Sequence, residues 1–145
     1  MIEFRGARQN ARVVAMQCLY AFLHSEAPIA QSKLHLLSEG DWGKDNPLDH
    51  VYLNTLLTEI EAKIPNFNAL IERLGEREIN HITPIELAIC HVAFIELKEQ
   101  WTVPTEVIID QSIEIAKDFA ADNAHKFVNS VLDKAAKELR PASGK

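Results

Sequence analysis

The chain has 145 residues, of which 47% are hydrophobic, and its formal net charge is −6. This length suits a single domain spanning residues 1–145 with its own core, and no run of 18 apolar residues or signal-peptide core is present, so we expect a cytoplasmic protein that does not cross a membrane. The acidic total argues against indiscriminate polyanion binding, because nonspecific nucleic-acid proteins usually carry a basic face and a high pI.

The basic residues are concentrated at the two ends of the chain. Three arginines and no acidic residue lie between Phe4 and Ser25, and residues 134–145 hold four basic side chains against one glutamate. Arg5, Arg8 and Arg12 line the first predicted helix, where positive charge in the first turns opposes the helix dipole. The pattern fits either a solvated arginine face or a site for an external anion.

The first half of the chain predicts four helices. Apolar residues at three- and four-residue spacing predict a helix over residues 7–23, and a shorter one over 29–37 ends near Gly40. After a loop at 41–46, Pro47 is predicted to open a third helix that continues through Ile60. Pro65 is predicted to restart the chain, with a fourth helix over 66–74 closed by Gly75 as a C-terminal cap.

The clearest local signal is Thr83-Pro84-Ile85-Glu86, which combines a threonine N-cap, a proline at the first helical position and a glutamate three residues after the cap. The fifth helix that starts there is predicted to be core, with His91 a hydrogen-bonded, partly buried ring beside its apolar stripe. Cys18 and Cys90 each lie on an apolar stripe, so both are expected to be reduced core residues.

Two further helices meet at a tight corner. A narrow polar row over residues 105–119 predicts a sixth helix that is almost wholly buried. A seventh follows from Asp122, with Asp122 and Asn123 as N-cap candidates. Donors outside its apolar stripe would hold a phosphate at the helix start, unless Asn123 only caps and Lys126 is only solvated; these donors are Asn123, His125, Lys126, Asn129 and Ser130. No strand is predicted, and residues 141–145 are expected to form a disordered tail.

The chain offers no pattern typical of catalysis or metal binding. No nucleophile is paired with a base, the five glycines are scattered singly, and neither cysteines nor histidines have ligand spacing. We therefore expect a protein that is not an enzyme and that has no cofactor and no metal site.

Two segments near the C-terminus read Ile113-Glu-Ile-Ala-Lys-Asp-Phe and Ala124-His-Lys-Phe-Val-Asn-Ser-Val-Leu-Asp-Lys-Ala. Together they resemble the signature of the transcription antitermination factor NusB family. Blocks at residues 11–20 and 86–97 fit the same family in the same order, so the resemblance covers nearly the whole chain. It implies an all-α fold of about seven helices in two small packed bundles.

The resemblance also implies a function. Family members act as transcription antitermination factors: each is an RNA-binding adaptor that, with the small-subunit ribosomal protein NusE, recognises boxA RNA on nascent ribosomal transcripts and joins the RNA polymerase complex. Other Nus factors and the polymerase would be indirect partners. The sequence leaves monomer and homodimer open.

The resemblance also implies site residues. Arg8 and Arg12 match the basic N-terminal segment of the family, and its RNA-facing corner is matched by Phe119, Lys126 and Phe127. The residue pattern adds Arg5 and Asn123 as RNA-binding candidates, although the family commonly has an acidic residue at the position of Asn123. Tyr20 and Glu86 match positions that face NusE in the family, and their alternatives are a core-edge tyrosine and a capping-box glutamate. The family often has more arginines at its start, and here Gln9 and Asn10 occupy two of those places.

Two other functions fit an all-helical chain. One is the accessory helical domain of an RNA cytosine methyltransferase, although 145 residues leave no room for its cofactor-binding α/β domain. The other is a protein-interaction bundle that binds no RNA, which a salt-dependent RNA-binding assay would separate from an RNA-binding adaptor.

Overall fold

The computed structural model describes residues 5–141, which form seven α-helices and one short 3₁₀-helix and contain no strand. The helices are α1 (Ala7–Ser25), α2 (Ile29–Glu39), α3 (His50–Leu57), α4 (Ile60–Gly75), α5 (Pro84–Glu99), α6 (Thr105–Phe119) and α7 (Ala124–Leu139), with the 3₁₀-helix at Ile79–His81. The predicted all-α class and helix number are confirmed. Apart from Pro141, the tail predicted at 141–145 lies outside the described residues. None of the described helices is both long and apolar enough to cross a membrane.

The described chain divides into two compact units, the first ending at Thr58 and the second starting at Glu59. In the first unit α1 packs against α2 and α3. The prediction that Pro47 opens the third helix is wrong. Asp49 is the N-cap instead, because its carboxylate accepts a hydrogen bond from the Tyr52 amide at 2.9 Å. Asn10 of α1 is buried and donates to the Pro47 carbonyl at 2.7 Å, which ties the preceding loop to α1.

In the second unit α4 is longer than predicted, because it begins at Ile60 and continues through Pro65. A proline inside a helix removes one backbone hydrogen bond, and here the surrounding helix tolerates that loss. Gly75 is the last helical residue and not the cap, which is Glu76 in a left-handed conformation with φ 51°. A Cβ at Gly75 would lie 2.7 Å from a ring carbon of Phe127, so the glycine is needed for the close approach of that ring.

The core of the second unit is α5, which contacts α4, α6 and α7 and is buried continuously from Glu86 to Leu97. The predicted capping box is confirmed: the Glu86 amide donates to Thr83 Oγ1 at 3.2 Å, and the Thr83 amide donates to Glu86 Oε1 at 3.1 Å. His91 is fully buried and not partly exposed as predicted. Cys18 and Cys90 are both buried and free, as expected.

The expectation that α6 is almost wholly buried is wrong. Its buried residues are Ile108, Ile109, Ser112, Ile115 and Ala116, whereas Val107 is 40% exposed. The helix packs against α5 and α7, which cover one side of it. The sequence pattern counted Ile113 as core because it is apolar, but this residue is half-buried. Apolar residues that stay partly exposed are common on protein surfaces.

Candidate functional site

The corner between α6 and α7 places Asn123 at the N-cap position of α7, but not in the way the sequence predicted. Its backbone is left-handed, with φ 73° and ψ −6°, and its side chain makes no capping hydrogen bond. The left-handed region is sterically costly for most residues and more accessible to asparagine. The backbone conformation of the turn therefore accounts for an asparagine at this position. The prediction of a side-chain cap from Asp122 or Asn123 is therefore wrong.

Exposed polar groups surround this start of α7. Asn123 and Lys126 are exposed and His125 is half-buried, while the Lys126 amide donates to the Asn123 carbonyl at 3.0 Å. The N-terminus of a helix carries a partial positive charge, and the Lys126 ammonium adds a full one in the first turn. Binding of an anionic ligand at this corner stays a prediction.

A pocket of about 310 Å³ opens beside the corner, and three of the predicted site residues line it. Asn123 and Phe127 were predicted to face RNA, and Glu86 to face a protein partner. The lining residues are Arg77, Thr83, Ile85, Glu86, Ala121, Asp122, Asn123, Ala124 and Phe127. The fold thus brings a candidate RNA contact and a candidate partner contact to the same pocket.

Phe127 is half-buried, with its ring packed against Gly75. The guanidinium carbon of Arg77 lies 4.3 Å from the centre of that ring, within the range of a cation–π contact. A base that stacks on Phe127 would therefore meet Arg77. Phe119, the last residue of α6, is half-buried and is not among the residues that line the pocket.

Glu86 is 7% exposed, and the capping role that the sequence left open is confirmed. Its Oε1 accepts from the Thr83 amide and from Thr83 Oγ1 at 3.0 Å, and it also lies 4.0 Å from Nη1 of Arg77. Contact between Glu86 and a partner protein stays a prediction.

Arg77 is not one of the site residues that the sequence predicted. Fifty positions separate it from Phe127, and no local pattern distinguishes this arginine from others that follow a helix. The motif Thr83-Pro84-Ile85-Glu86 predicted the position of Glu86 at the start of α5. It did not indicate that Arg77 lies near the Glu86 carboxylate.

The N-terminal arginines of the first unit differ in exposure. Arg8 is exposed, and its guanidinium carbon lies 4.4 Å from the centre of the Tyr52 ring. Arg12 is only 3% exposed and donates to Gln9 Oε1 at 3.1 Å, so its side chain is not presented to solvent as the prediction required. Arg5 is half-buried. Of the three, only Arg8 is exposed, and a phosphate contact at any of them stays a prediction.

Tyr20 is half-buried on α1 and stacks on His24, with 5.3 Å between ring centres and 8° between ring planes. This position is at the edge of the core, as one of the two predicted alternatives states. A contact with a protein partner at Tyr20 stays a prediction.

Burial also determines the state of the two thiols. It raises the pKa of the Cys18 thiol to about 11, and it raises the pKa of Cys90 further. Both groups are therefore protonated thiols near neutral pH, whereas thiol nucleophiles act as thiolates. Within residues 5–141, no three histidine, cysteine or acidic side chains converge as a metal site would require.

Fold and site together define an all-α protein with exposed polar and cationic groups at the start of a helix. The model of the NusB family matches residues 9–137. A protein of Marinobacter nauticus named transcription antitermination protein NusB is 36% identical to this chain, over 94% of this chain and 85% of the relative. A protein of the same name from Yersinia pestis is 38% identical, over 93% of this chain and 96% of the relative. The chain belongs to the NusB family.

A solved structure supports the same conclusion at the level of the fold. NusB of T. maritima superposes with a TM-score of 0.80 at 26% sequence identity, and the match covers 97% of both chains. The predicted NusB-like architecture is confirmed by this similarity.

Proposed function

We propose that the protein is a transcription antitermination factor that recognises boxA RNA on nascent ribosomal transcripts together with NusE and joins the RNA polymerase antitermination complex. The observation that carries this proposal is the similarity to proteins named transcription antitermination protein NusB, at 36–38% identity over at least 93% of the chain. Other Nus factors and the polymerase would be met indirectly.

The exposed groups at the start of α7 support an RNA contact. Lys126 and the helix N-terminus suit a phosphate. Phe127 lines the pocket with the Arg77 guanidinium over its ring, so an unpaired base would stack against this pair, since single-stranded RNA is commonly bound by stacking on aromatic rings and guanidinium planes. Phe119 and Asn123 belong to the same proposed surface. In the first unit, Arg8 is the favoured phosphate contact, with Arg5 beside it in sequence.

The proposed protein contact uses Tyr20 and Glu86. NusE is a basic protein, and the net charge of −6 on this chain favours its association through electrostatic attraction. RNA phosphates would then be bound by a few local cations, and the acidic residues elsewhere on the protein would attract the basic partner.

A gel-shift assay tests the proposal with three samples: a boxA RNA oligonucleotide, the same RNA with NusE, and a scrambled RNA of equal length and composition. We expect this protein with NusE to shift boxA RNA at lower concentration than this protein alone, and the scrambled RNA to shift weakly in both cases. Equal affinity for boxA and scrambled RNA would refute sequence recognition. Binding of NusE without any RNA shift would favour the protein-interaction bundle.

A further inference from the structure

We propose that Arg77 is a positioning residue that couples the protein-partner contact at Glu86 to the RNA contact at Phe127. This inference rests on the proposed function, because it assigns a role between two contacts of that function. Arg77 lies outside the two signature segments and is not one of the predicted site residues.

Arg77 contacts both residues from one position. Its guanidinium carbon lies 4.3 Å from the centre of the Phe127 ring, and its Nη1 lies 4.0 Å from Oε1 of Glu86. All three side chains line the pocket of about 310 Å³, in which Arg77 is the only cation among the described lining residues. A planar guanidinium has both a face that stacks on an aromatic ring and an edge that donates to a carboxylate.

The two contacts differ in rigidity. Glu86 is held by the Thr83 amide and hydroxyl in the capping box, and its side chain is 9% exposed. The Arg77 side chain is 41% exposed and follows the last turn of α4. When the charge environment of the pocket changes, Arg77 is therefore the group that moves, while Glu86 stays in place.

These positions fix the sign of the coupling. In the free protein the Glu86 carboxylate attracts Arg77 and partly neutralises its charge. A cation of the basic partner that approaches Glu86 takes over this role, so the guanidinium charge becomes available to an RNA phosphate above Phe127. Partner binding then raises RNA affinity, and by linkage RNA raises partner affinity by the same factor.

The experiment measures the coupling factor, defined as the Kd for boxA RNA without NusE divided by the Kd with saturating NusE. Arg77→Ala is expected to lower this factor about threefold, which is the size expected for one partly exposed charge. Arg73→Ala is the matched control: Arg73 is also an exposed arginine of the second unit, but it pairs with Glu138 at 2.8 Å and does not line the pocket. It should leave the factor unchanged.

A second variant tests the mechanism without NusE. Glu86→Gln keeps a side chain that can complete the capping box but removes the negative charge. It should raise the RNA affinity of the free protein about threefold, and this gain should fall to near zero in the Arg77→Ala background. Melting temperatures of all variants verify that each remains folded.

The outcomes separate the inference from the proposed function. Wild-type protein that binds no boxA RNA even with NusE would remove the proposed function, and the coupling with it. Wild-type binding with a coupling factor that Arg77→Ala leaves unchanged would overturn only the role of Arg77. An equal gain from Glu86→Gln in both backgrounds would also overturn it, because the carboxylate would then repel RNA directly.

Discussion

Asn123 forms the turn between two helices and also presents its side chain on the proposed RNA-binding surface. Its left-handed conformation, φ 73°, turns the chain from α6 into α7, while its exposed amide makes no capping hydrogen bond. Asparagine and aspartate are both enriched in this conformation, so either residue satisfies the turn. The two differ in charge, and that difference can be used to test the surface.

We predict that Asn123→Asp weakens boxA binding about threefold, or 0.5 to 1 kcal/mol, because a carboxylate at an exposed site would repel incoming phosphates through a high effective dielectric. The loss should be larger at low salt, and the melting temperature should change little. Measuring the RNA Kd at two salt concentrations tests this.

The control for this substitution is Asn123→Gly, which keeps the left-handed turn without adding charge. It should retain most of the RNA affinity. If Asn123→Asp binds boxA as tightly as the wild type at both salt concentrations, RNA does not approach this corner.

His91 is the buried histidine of the central helix. Its Nε2 lies 2.7 Å from Asn68 Oδ1, and its Nδ1 has no hydrogen-bond partner among the described residues. Burial lowers the pKa of the ring from 6.5 to about 4, because the imidazolium would be charged in an apolar environment. The folded protein therefore keeps this ring neutral at pH values where the unfolded chain is already protonated.

We predict that this difference destabilises the fold as pH falls. The unfolded chain binds the proton near pH 6.5 and the folded chain only near pH 4, so the His91 contribution of about 3 kcal/mol is present above pH 6.5 and is lost progressively between those values. Urea unfolding at pH 7.5, 6 and 5 measures the slope. His91→Gln should flatten it, whereas His81→Gln, a change at an exposed histidine, should not. Equal slopes for wild type and His91→Gln would contradict the prediction.

At the level of the helices, Arg140 links the end of α7 to the end of α5. Its guanidinium donates to the carbonyls of Leu97 at 2.9 Å and Val103 at 2.6 Å, and to Thr105 Oγ1 at 3.2 Å. The carbonyls of Glu96 and Gln100 are further acceptors. The last carbonyls of a helix lack helical donors, so one arginine satisfies several at once. In the sequence, Arg140 is only one of four basic residues near the end of the chain.

We predict that Arg140→Ala lowers the free energy of unfolding by about 2 kcal/mol, since charge-assisted hydrogen bonds to several carbonyls are lost together. Arg140→Lys should recover only part of this, because a single ammonium cannot reproduce the planar fork. Urea denaturation followed by circular dichroism measures both, with Lys137→Ala, an exposed change in the last turn of α7, as the control. Wild-type stability in Arg140→Lys would show that the fork is not required.

Helix existence was predictable from the sequence, whereas several boundaries and the degree of burial were not. Apolar spacing identified all seven helices, and the motif at Thr83 gave the start of α5. Pro65 misled because a proline usually marks a boundary, yet here α4 continues through it. Burial of α6 was overestimated because the neighbours of a helix, and not its composition alone, decide which face is covered.

For the whole molecule, the sequence could group candidate site residues only where they are close in sequence. Asn123, Lys126 and Phe127 lie within two turns at the start of one helix, so spacing alone groups them. Arg77 reaches Phe127 through a long-range contact that no local pattern contains. Burial of Arg12 escaped notice because the tertiary environment of a charged residue cannot be read from helical periodicity.

The protein has a net charge of −6, so its surface as a whole does not attract RNA. The salt dependence of RNA binding therefore measures the contribution of the few cations at the contact. Each phosphate neutralised by a side chain contributes about 0.7 to the slope of log K against log salt for single-stranded RNA. Arg8 and Lys126 are exposed, so each could contribute one such contact. Arg12, at 3% exposure, should contribute through folding stability and not through counterion release.

We therefore predict that Arg8→Ala and Lys126→Ala each reduce the magnitude of the slope by up to about 0.7, because each removes one phosphate contact. Arg12→Ala should leave the slope near its wild-type value and lower the melting temperature, because a buried, hydrogen-bonded side chain is lost. Titrations of boxA RNA in the presence of NusE at four or more salt concentrations measure the three slopes.

If Arg12→Ala alone lowers the slope, the buried conformation of Arg12 is not the one that binds RNA. If neither Arg8→Ala nor Lys126→Ala changes it, RNA binds at a different surface of the protein.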